Sequence, residues 1–88
     1  MENSKFEVDK TYILSGGAGL SGGIKHYLVL KDGIIMVNSD HLLITKLERD
    51  TMDRLKAQGD TFIEVDNNLF KKSLSNVLNE MDILKLLK

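Results

Sequence analysis

The segment from residue 69 to residue 87 contains no proline or glycine and carries an apolar stripe at helical spacing. At the helical angle per residue, Phe70, Leu74, Val77, Leu78, Met81 and Leu84 fall within an arc of about 120°. The pattern predicts one long amphipathic helix. Such a helix is stable in water mainly when its stripe is covered, and the cover has to come from the residues before it. Those residues read as short β-rich runs. The chain is therefore expected to be an α+β fold: a small, mostly antiparallel sheet with a long C-terminal helix packed on it.

The runs can be placed from their punctuation. Phe6, Val8 and Tyr12-Ile13-Leu14 predict a first strand over about 5–14. Residues 24–30 (IKHYLVL) and 34–37 (IIMV) predict a second and a third. Asp32-Gly33 between them is a tight-turn signal, because these residues tolerate the positive φ angles that short hairpins use. Asn38-Ser39-Asp40 is another turn. Residues 41–47 (HLLITKL) read as a fourth strand, since Leu43, Thr45 and Leu47 alternate with Ile44 and Lys46. Asp50 is a suitable N-cap for a short helix over about 51–58, with Met52, Leu55 and Ala57 inward and Gly59 as its stop. Residues 61–65 (TFIEV) predict a fifth strand, and Asp66-Asn67-Asn68 can cap the final helix. The order is ββββαβα in a single domain spanning 1–88.

Composition removes several functions. There is no cysteine, which excludes a disulfide scaffold, a thiolate zinc site and a cysteine nucleophile. The formal net charge is −1, spread evenly, and Lys71-Lys72 is the only adjacent basic pair. Binding to nucleic acid is not expected, because it needs clustered positive charge. No apolar run approaches the roughly 20 residues that span a bilayer. Residues 1–10 (MENSKFEVDK) have no apolar signal core. The expectation is a cytoplasmic protein with no membrane contact.

The stretch SGGAGLSGG, residues 15–23, is the most unusual part of the chain. Gly17-Ala18-Gly19-Leu20-Ser21-Gly22 matches G-x-G-x-x-G, the loop that holds a dinucleotide pyrophosphate at a helix N-terminus. Over residues 12–40 the chain resembles a Rossmann-type fingerprint, with YILS as a first strand, Gly33 before a second, and Asp40 where an acidic residue would meet the ribose. Three features oppose it. The residues after the glycines are β-branched and aromatic and alternate like a strand. His26 stands where a small residue is needed. The chain is also too short for a doubly wound sheet. The other reading is a long loop between the first two strands. Glycine raises the entropy lost on ordering, so stability alone does not explain five of them. Gly16, Gly17, Gly19, Ser21, Gly22 and Gly23 are therefore the candidate ligand- or partner-binding residues, and a small nucleotide or anion is the ligand class they suggest.

Weaker candidates each have a plainer explanation. His26 and His41 with Asp32 or Asp40 could bind a metal, but no metal-binding spacing exists, so no metal or other cofactor is expected. Ser15 or Ser21 could be nucleophilic only with a base and an orienting acid, and His26 is the one nearby base, so serine hydrolysis is not expected. Glu64 and Asp66 read as a solvated strand face. Tyr12 and Tyr27 read as core or rim residues. An enzyme is not expected. The leading reading is a non-catalytic binding or interaction module, a small regulatory or accessory protein that acts through a protein partner.

The final helix has more apolar residues than one stripe needs. Ile83, Leu86 and Leu87 lie outside the arc and are candidate interface residues. Leaving Ile83 and Leu86 in water forgoes about 1.5–3 kcal/mol for each side chain that could be buried. A homodimer, or an interface with another protein, is expected to cover them.

Overall fold

A computed structural model describes residues 6–17 and 22–86. The elements are β1 (Thr11–Gly16), β2 (Lys25–Leu30), β3 (Gly33–Asn38), β4 (Leu43–Leu47), α1 (Thr51–Ala57), β5 (Thr61–Val65) and α2 (Asn67–Leu86). The five strands form one sheet in the order β4-β3-β2-β1-β5. Every neighbouring pair is antiparallel. This is the expected α+β fold in the expected order.

Strand alternation sends side chains to two faces. Across the sheet, Ile13, His26, Val37 and Ile44 stand in one row, and Tyr12, Tyr27, Met36 and Thr45 in the next. Each face has its own core. On one, Phe6, Tyr12, Leu14, Tyr27, Val29, Ile34 and Met36 close around Met52 of α1. Its aromatic rings meet edge to face: Phe6 with Tyr12 at 5.0 Å, Phe6 with Phe62 at 5.3 Å, and Tyr27 with Phe62 at 5.4 Å. On the other face, α2 lays Phe70, Leu74 and Val77 over Leu28, Ile35, Val37, Leu42 and Ile44. The sequence predicts only the second of these layers.

Several local expectations are corrected. The first strand begins at Thr11, not near residue 5. Asp9 takes a positive φ of 67°, which aspartate tolerates better than most residues. The chain turns there, and Phe6 drops into the aromatic core. The β2–β3 hairpin is real, but its mechanism differs. Leu30 pairs with Gly33, so Lys31 and Asp32 form the loop, and neither has a positive φ. Gly33 instead permits close strand approach, because a Cβ there would lie 2.9 Å from the Leu47 carbonyl oxygen. Asp50 precedes α1 without a side-chain cap bond. Its carboxylate lies 3.7 Å from Arg54 instead. Within α1, Met52 is buried, Leu55 half-buried and Ala57 exposed. The cap before α2 is as expected, with the Asn68 N–H donating to Asp66 Oδ1 at 2.8 Å.

The largest correction concerns α2. Its stripe does not pack along its whole length. Phe70 and Val77 are buried, but Leu78, Met81 and Leu84 are 49%, 38% and 48% exposed. Asn67 anchors the start: it accepts from Thr11 Oγ1 at 2.8 Å and donates to the Asp9 carbonyl at 2.9 Å. Val77 is the last buried residue, and residues 78–86 are all exposed. At 1.5 Å per residue, about 13 Å of helix follows the last residue buried against the sheet.

Candidate functional site

The stems of the glycine stretch are built by packing. Gly16 ends β1 opposite Thr61, across a register shift that follows Leu14. Ser15 Oγ lies 3.1 Å from Thr61 Oγ1. Gly17 has a φ of 103°. A Cβ there would overlap the Asp60 carboxylate and come within 2.8 Å of the Asp60 Cα. Glycine at 17 is thus fixed by backbone conformation and by a buried neighbour. Asp60 is 7% exposed. The Tyr27 hydroxyl is pushed above its usual range by burial first and by the charge of Asp60 second.

The second stem is held by Asn38, which is 2% exposed. Its Nδ2 donates to the Gly22 carbonyl at 2.8 Å. Its Oδ1 accepts from the N–H groups of Asp40 and His41 at 3.0 and 3.2 Å. Asp40 Oδ2 accepts from the Ile24 N–H at 3.1 Å. Gly23 has a φ of 98°, and a Cβ there would meet Asp40 Oδ2 at 2.7 Å. Asn38 reads as an ordinary turn residue in the sequence. The signal that could have found it is an amide at a strand end, two residues before an aspartate, where it can bond several backbone groups at once.

Among the candidate loop residues, Gly16, Gly17, Gly22 and Gly23 therefore have structural roles or positions. Gly19 and Ser21 lie outside the described residues, as does Leu87. The residues after Gly23 form a strand antiparallel to β1, so the helix that the fingerprint requires does not start there. Carboxylates stand at both stems, Asp60 at one and Asp40 at the other. Neither feature favours a phosphate.

The other candidates are scattered. His41 is exposed, and His26 is half-buried on the α2 side of the sheet. Burial pushes the His26 imidazole below its usual value. Its Nδ1 has no hydrogen-bond partner among the described residues, and neither does Ser73 Oγ. Among the described residues, no group of three His, Cys, Asp or Glu side chains could hold a metal ion. Glu64 lies 3.5 Å from Lys10, while Asp66 caps α2. Tyr12 and Tyr27 are both buried, and the Tyr12 hydroxyl accepts from the Glu7 N–H at 2.9 Å. No helix among the described residues is long and apolar enough to cross a membrane.

The other unusual surface is the far half of α2. Leu78, Met81, Ile83, Leu84 and Leu86 are between 38% and 83% exposed. They sit on several sides of the helix, among Asn79, Glu80, Asp82 and Lys85. Beside them is an open groove of about 300 Å³. Ser39 and Leu42 form one wall; Asn76, Val77, Glu80 and Ile83 of α2 form the other. Of the sequence candidates, Ile83 and Leu86 are both found on this surface. No protein-family model, curated protein or solved structure matches the chain.

Proposed function

We propose that the protein is a non-catalytic interaction module whose docking element is the C-terminal half of α2. One observation carries this reading: five large apolar side chains, from Leu78 to Leu86, are exposed on the part of α2 that follows its last buried residue. Exposed apolar surface gathered on one segment of a small domain is a feature of interaction sites. Hydrophobic burial is the main favourable term in association, so this is where a partner gains most. The small regulatory or accessory role belongs to the same proposal, in which the chain acts by holding a partner.

The test is capture of partners on immobilised protein from extracts of the source cells. Three forms are compared: the unaltered chain, a Leu84→Asp, Leu86→Asp variant, and a Gly19→Ala, Ser21→Ala loop variant. The tail variant is expected to lose the partner and the loop variant to keep it. The reverse pattern sinks the reading. A nucleotide or anion that stabilises the protein by about 2.7 kcal/mol at 100 times its dissociation constant would move the site to the loop.

A further inference from the structure

The sheet ends at β4 on one side and β5 on the other. We infer that the β5 edge is an interaction surface separate from the α2 tail, on which two copies of the chain join strand to strand in an antiparallel, twofold pair centred on Ile63. Backbone geometry sets this register. The Val29 N–H donates to the Lys10 carbonyl at 3.0 Å, so alternate residues of β1 turn their main-chain groups to β2, and Thr11 and Ile13 turn theirs to β5. Ile63 lies opposite Ile13 and points its N–H and C=O back at it. The same groups of Phe62 and Glu64 therefore point away from the sheet, where a further strand bonds them. A twofold pair of identical strands keeps its faces only when the axis passes a residue, because neighbours along a strand point to opposite faces. Centring on Glu64 would oppose two carboxylates, and centring on Phe62 would set Glu64 against Asp60. Centring on Ile63 sets Phe62 opposite Glu64 of the second copy, where they exchange main-chain bonds, and Thr61 opposite its Val65. The two Ile63 residues face each other as a close pair, with Cα atoms about 4.5 Å apart.

Three observations favour a second copy on this edge. β5 is already a strand in each copy, so pairing orders no new backbone, whereas a flexible peptide would lose that entropy. Ile63, at the centre of the register, is 50% exposed and gains an apolar partner there. The charges are compatible: within the strand no like charges stand opposite, and the two Glu64 carboxylates lie on the diagonal, each 3.5 Å from its own Lys10. Beyond the strand, Asp66 leaves the sheet to cap α2, and Asp60 is buried. The other edge differs. β4 carries Lys46, the residue type that guards edges against pairing, and its Ile44 packs into the α2 core. Five residues make a contact about 17 Å long, too short a strip to bury the roughly 1,200 Å² at which stable interfaces begin. The pair is therefore weak and reversible, present at high micromolar concentration and lost on dilution.

The chain has no cysteine, so single cysteines report proximity without background. Ile63→Cys places a thiol opposite its own copy. Thr45→Cys does the same for a pair centred on β4, and Gln58→Cys, at the exposed end of α1, sets the rate of random encounter. Under mild oxidation Ile63→Cys is expected to form disulfide-linked dimer at least tenfold faster than either. Glu64→Pro removes an outward N–H and leaves the bonds to β1 in place. Added to Ile63→Cys, it is expected to abolish that advantage with an unchanged circular dichroism spectrum. Sedimentation equilibrium of the unaltered chain is expected to show average mass rising with concentration, and Ile63→Lys, which opposes two like charges, to stay monomeric. Equal rates for the three cysteines, a faster Thr45→Cys, a monomer at every concentration, or a dimer that survives Ile63→Lys each overturns the β5 pair.

Discussion

The two halves of α2 are written in the same pattern and live in different surroundings. Phe70, Leu74 and Val77 in the first half and Met81 and Leu84 in the second fall on one stripe. The first three meet Val37, Ile35 and Ile44; the last two meet water. Periodicity says which side of a helix is apolar. It does not say how far the sheet beneath it reaches. The difference teaches that a stripe is a demand for cover, and that the place where cover stops is where a small domain can offer a surface to something else.

The halves should separate most sharply under mutation. Phe70→Ala removes a buried ring at the centre of the α2 core and is expected to cost about 3–5 kcal/mol, read as a fall in the urea midpoint. Leu84→Ala, on the same stripe, belongs at the other end of the scale, as the last case below. If both cost the same, the division of α2 is wrong.

Gly17→Ala probes the loop stem instead of the helix. A positive φ and an overlap with the Asp60 backbone predict a loss of at least about 1 kcal/mol. Full stability after this change would show that the stem relaxes freely. It would then be open to a ligand, and function would shift away from the tail.

Ser73 sharpens the account of the covered half. Its hydroxyl is buried without a partner among the described residues. Ser73→Ala is expected to be neutral or to stabilise by up to about 1 kcal/mol. A loss of 1 kcal/mol or more would mean that the hydroxyl has a bond that the structure lacks.

His26 gives the covered half a pH dependence whose sign can be worked out. Burial holds its folded value below 6.5, so the unfolded chain takes up a proton more readily. The contribution is fully present above about pH 6.5 and declines as the pH falls below it. Urea midpoints at pH 7.5 and 5.0 should therefore fall less in His26→Gln than in the unaltered chain. An equal fall in both would assign the slope to carboxylates.

Leu84→Ala and Leu86→Ala should each change monomer stability by no more than about 0.5 kcal/mol, as surface substitutions do. They are expected to weaken association all the same. A large loss in dilute protein would place these side chains in a packed environment.

The sequence carried the element order because each boundary has a local cause. Asp66 caps α2, Gly59 stops α1, and the polar residues at 38–40 turn the chain. It did not carry the second core. Phe6 reaches that core only because Asp9 turns the backbone, and the four aromatic rings come from three separate segments. The tight turn was visible at Asp32-Gly33, but the demand on Gly33 comes from Leu47 in another strand, which no local pattern contains. The loop glycines were conspicuous. Their structural reasons, Asp60 against Gly17 and Asp40 against Gly23, lie 43 and 17 residues away in the chain. Ile83 and Leu86 were legible as excess apolar residues. The exposure of Met81 and Leu84 was not, because it depends on where the sheet ends.

Amide hydrogen exchange along α2, followed at low and at high micromolar concentration, tests the division of this helix most directly. The account predicts protection of residues 71–77 at both concentrations, since their own sheet covers them. It predicts weak protection of residues 80–86 at both, since they follow the last residue buried against the sheet. Protection that is uniform along the helix would contradict it.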